Sequence, residues 1–191
     1  KPWPRTVPVA VTVSRVEWAS VAVLRAGQTI GYENHATMVR ISESRISSDP
    51  SAATAGKWDA APEAPGWTLP PQSTPGTYQA EFRTTDDSGR PVLTSVVFHV
   101  SGDARVAWHQ RNGLNLELVP GRASHQPGEH ATLLARTPFS GTAWITLERE
   151  DVRVSLVTNL TGNAPALHLP IAAADIPNTY ASVTLIRGRV G

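Results

Sequence analysis

Nowhere in this sequence does an apolar period of 3.6 persist, whereas a period of two restarts after almost every turn. The clearest instance comes first. Val7, Val9, Val11 and Val13 alternate with Pro8, Ala10, Thr12 and Ser14, so an extended strand here has one valine face and one small or polar face. A chain patterned this way has no helical stripe to bury and must pair strands, hiding the apolar side of each sheet. Charged residues are only 17%, with 16 Pro and 14 Gly, which suits short strands between turns better than long solvated helices. A length of 191 residues with 40% apolar content suffices for one large core or two small ones.

Further strand-like runs in the first half cover 37–41, 78–85 and 92–100, the last two joined by the hairpin turn Asp86-Asp87-Ser88-Gly89. Between them, 42–75 is Ser/Ala/Pro-rich, holds Trp58 and Trp67, and reads as one long excursion with a strand around 66–69. Ser101-Gly102-Asp103 then interrupts the pattern. Runs at 105–108, 114–119, 131–136, 142–149, 152–158, 166–169 and 179–187 follow at sandwich-like spacing, and 172–176 has room for one helical turn at most. The expected fold is all-β: two consecutive antiparallel β-sandwiches, residues 1–102 and 103–191. Freedom of movement is expected at Gly102 and in residues 42–65, and Trp144, central in its strand, is expected to be buried.

The composition excludes several functions. Without cysteine there is no disulfide, thiolate metal site or Cys nucleophile. A net charge of +1 with no basic run argues against a nucleic-acid partner, and no apolar stretch approaches the length that spans a bilayer. Neither Gly-x-Ser-x-Gly nor Gly-x-x-x-x-Gly-Lys occurs, and the only lysines are Lys1 and Lys57. His125 and His130 would point to opposite faces of a strand and are separated by Pro127-Gly128, while His35, His99, His109 and His168 stand alone. Asp86-Asp87 and the group Glu148, Glu150 and Asp151 lack the alternating carboxylates of a calcium loop and read as solvated turns. No catalytic, cofactor-binding or metal residue is assigned, no cofactor is expected, and the chain is not expected to be an enzyme. Trp58 and Trp67 offer the alternative of a stand-alone adhesin or carbohydrate-binding module using loop indoles.

The second half carries a specific likeness. His125-Gln126-Pro127-Gly128-Glu129-His130-Ala131 resembles the Tyr-x-Pro-Gly-Glu-x-Ala segment that opens a strand in bacterial alpha-2-macroglobulins, with His125 in place of the usual Tyr. Thr137-Pro138-Phe139 stands where that family has Ser-Pro-Phe, and the run from Ala143 to Glu150, AWITLERE, is similar to Ala-Leu-Val-Thr-Val-Glu-Arg-Glu. The run from Ile176 to Gly188, IPNTYASVTLIRG, is similar to the family's Pro-Asn-Val-Tyr-Val-Ser-Val-Thr-Leu-Ile-Arg-Gly. Looser matches are Arg15-Val16-Glu17-Trp18, Pro75-Gly76-Thr77-Tyr78, Asp86-Asp87-Ser88-Gly89-Arg90 and Val106-Ala107-Trp108-His109-Gln110-Arg111; residues 42–65 have no counterpart.

The resemblance implies two macroglobulin-like domains, fibronectin-III-like sandwiches in the body of a broad-spectrum protease trap, an endopeptidase inhibitor of bacterial defence. It implies a periplasmic or extracellular setting, neighbouring domains of a longer parent as partners, target proteases reached only through the full-length protein, and a monomer. The family's bait segment would lie in a later domain. Its thioester needs a cysteine this chain lacks. The expected role is a non-catalytic scaffold, and the start at Lys1-Pro2-Trp3-Pro4 reads as a piece cut from a longer chain.

Overall fold

The computed structural model describes residues 6–25, 29–48, 67–109 and 115–188. Along these run β1 (Pro8–Arg25), β2 (Thr29–Ser47), β3 (Gly76–Thr85), β4 (Pro91–Val100), β5 (Glu117–Pro120), β6 (His130–Arg136), β7 (Gly141–Glu148), β8 (Val152–Leu160), β9 (Ala166–Pro170) and β10 (Tyr180–Ile186). A single turn of 3-10 helix, Ala173–Asp175, precedes β10. The fold is all-β with a sandwich architecture, and its strand pairs of known register are antiparallel. The chain divides into two compact units: Lys1–Glu17 with Thr37–Ser73 and Thr77–Phe98, and Trp18–Ala36 with Thr74–Gly76 and His99–Gly191.

In the N-terminal part the described strands form one four-stranded sheet, β2-β1-β3-β4. The register sets Val11 opposite Phe82 and Val13 opposite Ala80, so the valine face predicted from alternation lies beside the apolar face of β3. Val11, Val13, Tyr78 and Ala80 are all buried there. The hairpin between β3 and β4 is closed by Asp86, whose carboxylate accepts from the backbone N–H of Ser88 and of Arg90, both at 2.8 Å. Gly89 supplies the φ of +78° that the turn needs.

The C-terminal sandwich packs β10-β7-β8 against β5-β6-β9. Cross-strand register builds its core row by row: Ile145 stands between Val183 and Leu156, Leu147 between Ala181 and Val154, and Leu133 beside Leu167. All belong to one hydrophobic cluster. The turn before β6 forms as the sequence indicates. Glu129 N–H donates to the Gln126 carbonyl at 3.1 Å, Gly128 takes φ +93°, and the Glu129 carboxylate accepts from Gln126 N–H at 2.7 Å.

Four local expectations are corrected. Residues 42–47 are not loop but the end of β2, a polar strand at the sheet edge whose Ser, Glu and Arg content hides its extended character. No strand forms at 67–69, and Gly66 lies outside the described residues. Residues 105–108 are extended but join no ladder, for a reason given below. Trp144 is on the outer face of β7 and 47% exposed, because Ala143, Ile145 and Leu147 together commit the opposite face to the core. Its indole N–H donates across the sheet to Ser155 Oγ at 2.9 Å.

An ion pair between a half-buried arginine and a buried aspartate anchors the 3-10 turn to the sandwich. Arg153 on β8 grips Asp175 with two bonds of 2.6 Å, Nε to Oδ1 and an Nη to Oδ2, and the Ala172 N–H donates to the same carboxylate at 2.7 Å. Burial by itself raises the carboxyl pKa, but the Ala172 N–H and the Arg153 guanidinium outweigh it and hold Asp175 below the ordinary carboxylate value. The folded-state pKa is thus depressed, so this contribution to stability is complete above the unfolded carboxylate pKa and is lost as pH falls through the folded value. Asp175→Asn is therefore expected to destabilise the sandwich at neutral pH and to flatten its acid limb, measured as melting temperature between about pH 2 and 7. An acid limb as steep in the variant as in the wild type would refute this.

Candidate functional site: a connector clamped to the C-terminal sandwich

The run Leu133-Leu134-Ala135 in β6 is continuously apolar, and each residue is buried. Leu133 and Ala135 enter the sandwich core, whereas Leu134 belongs to a second cluster with Trp108 and Ala164, to which Val106 and Val119 add. Leu134, the one apolar side chain on the outer face of β6 beside His130, Thr132 and Arg136, needs cover there. For β6 that outer cover includes Val106 and Trp108, from the segment that follows β4.

The segment is held by specific polar contacts. Asn163, itself buried, accepts from the Val106 N–H at 2.8 Å through Oδ1 and donates to the Val106 carbonyl at 2.8 Å through Nδ2. One side-chain amide thus satisfies both main-chain groups of Val106, as a neighbouring strand would. That is why 105–108 stays extended without a ladder. The Trp108 indole N–H donates to the Asn163 carbonyl at 2.9 Å. The Arg136 guanidinium lies 4.6 Å from the centroid of the Trp108 ring, and His99 meets that ring edge-on at 6.2 Å. Burial first, then the nearby Arg136 charge, lowers the His99 pKa and favours its neutral form.

Gly102, where the sequence suggests free movement, is bridged to Ala164, its N–H donating to the Ala164 carbonyl at 2.9 Å. Close by, Gly162 adopts φ +66° with its hydrogen face against the Asp103 carbonyl; a Cβ there would lie 2.5 Å from that oxygen. The clamp therefore holds both ends of the connector, at Gly102–Asp103 and at Val106–Trp108. The arrangement is mechanical rather than chemical. It fixes a linking segment to a rigid sandwich through hydrogen bonds that tolerate little displacement.

The other candidates are dispersed. His125 precedes the turn before β6, His130 opens that strand, and His168 on β9 shares a 3.2 Å hydrogen bond with Thr132 Oγ1. His35 is exposed on β2, and His109 meets Trp18 edge-on at 5.0 Å. Among the described residues no three His, Asp or Glu side chains gather as a metal site. Asp86 is engaged by its own turn and by Arg90, Glu148 caps β7 beside Thr146, and Glu150 and Asp151 are exposed in the turn that follows. Trp67 is half-buried and edge-on to Phe82 at 5.6 Å, while Trp58 lies outside the described residues. A shallow cleft of about 550 Å³ opens along β8 and β9; its ionisable lining groups are Asp103 and His168.

Sequence reasoning did not single out Asn163 or Arg136. Asn163 follows Thr161-Gly162 and looks like an ordinary turn residue, and its partner Val106 is 57 residues away. The legible signal was the apolar run in β6, which requires cover on its outer face. Compared with known proteins, the chain matches no family model, no curated protein and no solved structure.

Proposed function

We propose that this chain is a scaffold piece of a bacterial alpha-2-macroglobulin-type protease trap: two macroglobulin-like regions, non-catalytic themselves, that act outside the cytoplasm and hold the reactive parts of a longer parent at set distances. The observation that carries the reading is where the family-like segments fall. The Gln126–Glu129 turn leads into β6, Ala143-Trp144-Ile145-Thr146-Leu147-Glu148 lies in β7, and Tyr180 to Ile186 is β10, so segments far apart in sequence meet in one sandwich. The looser segment beginning at Val106 is the clamped connector. A trap that rearranges after cleavage needs bodies that move as units, and a linker pinned to its sandwich transmits displacement instead of absorbing it.

The test uses the full-length parent. Incubated with a broad-specificity serine protease, it should leave cleavage of a small chromogenic peptide intact while suppressing cleavage of a folded protein substrate. Deleting residues 104–191 should abolish that protection, and the 191-residue chain alone should give none. Unimpaired digestion of the protein substrate by protease pre-incubated with the parent, or full protection by the deletion, overturns the reading.

A further inference from the structure

β6 shows a single apolar side chain, Leu134, on its outer face, whereas β4 is apolar on both faces, and the two are treated differently. β6 is covered by the sandwich core on one side and by the connector on the other. In β4, alternation puts Val92, Thr94, Val96 and Phe98 on one face and Leu93, Ser95 and Val97 on the other. Val92, Leu93, Val96 and Val97 are 41%, 54%, 56% and 57% exposed. Toward the strand's end Phe98 is engaged, stacked on Tyr78 at 5.4 Å. β4 also ends the sheet order β2-β1-β3-β4, so among the described residues one edge of its main chain faces no further strand.

Natural edge strands are guarded against association by charge, proline or brevity. At the opposite edge of the sheet, β2 carries Glu33, Arg40, Glu43 and Arg45. β4 runs for ten residues, with Pro91 at its start and no Asp, Glu, Lys or Arg. Free main-chain N–H and C=O groups along an extended edge select another strand as partner. The sequence of β4 matches itself in that role. Paired antiparallel about a two-fold axis at Ser95, Val97 of each copy stands opposite Leu93 of the other on one face, and Phe98 opposite Val92 on the other. Each face thus gains an apolar pair, Val96 meets Thr94, Ser95 meets itself, and no like charges are opposed.

We propose that β4 is a self-pairing edge through which two copies of this chain join antiparallel into one eight-stranded sheet. This departs from the monomer implied by the family resemblance, and it does not depend on the protease-trap reading.

Sedimentation velocity and light scattering of the 191-residue chain, at concentrations on the order of 100 µM where weak homodimers are still populated, should give twice the chain mass. Val97→Lys and Leu93→Glu each alter a side chain that is exposed in the single chain, so circular dichroism and melting should be retained while the dimer is lost. Mixing the two variants should restore a dimer, because this register places Lys at 97 of one copy opposite Glu at 93 of the other. A monomeric wild type overturns the proposal. So does a dimer that survives Val97→Lys, or a mixture that stays monomeric.

Discussion

Ile145→Ala is expected to destabilise the C-terminal sandwich by about 2–5 kcal/mol, whereas Trp144→Ala, one position earlier, should cost about 1 kcal/mol or less. Ile145 is 1% exposed and lies between Val183 and Leu156 at the centre of the core. Its truncation removes buried methylenes and leaves a cavity that paired strands on both sides cannot collapse to fill. Trp144 is the bulkier side chain, but it loses only partial cover and its bond to Ser155 Oγ. For a sandwich of this size the Ile145 loss corresponds to a fall in melting temperature of roughly 8–40 °C. Thermal melts of the two variants decide it, and a larger loss from Trp144→Ala would mean that the strand faces are assigned the wrong way round.

The second large effect is expected at Asn163. Replacing it by alanine removes both partners of Val106 in one step and leaves a main-chain donor and acceptor half-buried without their bonds. The cost should be about 2–4 kcal/mol, concentrated in the connector rather than spread over the sandwich. Hydrogen exchange can separate the two. Amides of 102–108 should exchange at least about tenfold faster in the variant, while those of β7 and β10 should keep close to their wild-type rates. Unchanged protection at Val106 would show that the amide clamp is dispensable. If the connector transmits movement in a protease trap, the same substitution in the full-length parent should weaken protection of a protein substrate without touching any reactive group.

Most strands were legible because period-two alternation and turn chemistry are local. Val7 to Val13, the Asp86–Gly89 turn, the Pro127-Gly128 turn and the alternating run from Tyr180 to Ile186 each declare a conformation through residues in direct succession. Strand length was less legible. β2 continues through polar residues to Ser47 because an edge strand needs no apolar alternation to keep its main chain paired on one side.

What the sequence by itself determined is an all-β chain, its main turns and the two-faced character of each strand. Alternation identifies the two faces of a strand, but when both carry apolar residues it does not say which one the neighbouring sheet will cover. That choice depends on register with β8 and β10, and it turned Ile145 inward and Trp144 outward. The fate of the outer faces was likewise a tertiary matter. The connector covers Leu134 on the outer face of β6, whereas β4, apolar on both faces, stands exposed at the end of its sheet. Contacts such as Asn163 to Val106 join residues 57 apart, and only the folded chain brings an amide of the right geometry to a main-chain pair that local sequence leaves unsatisfied.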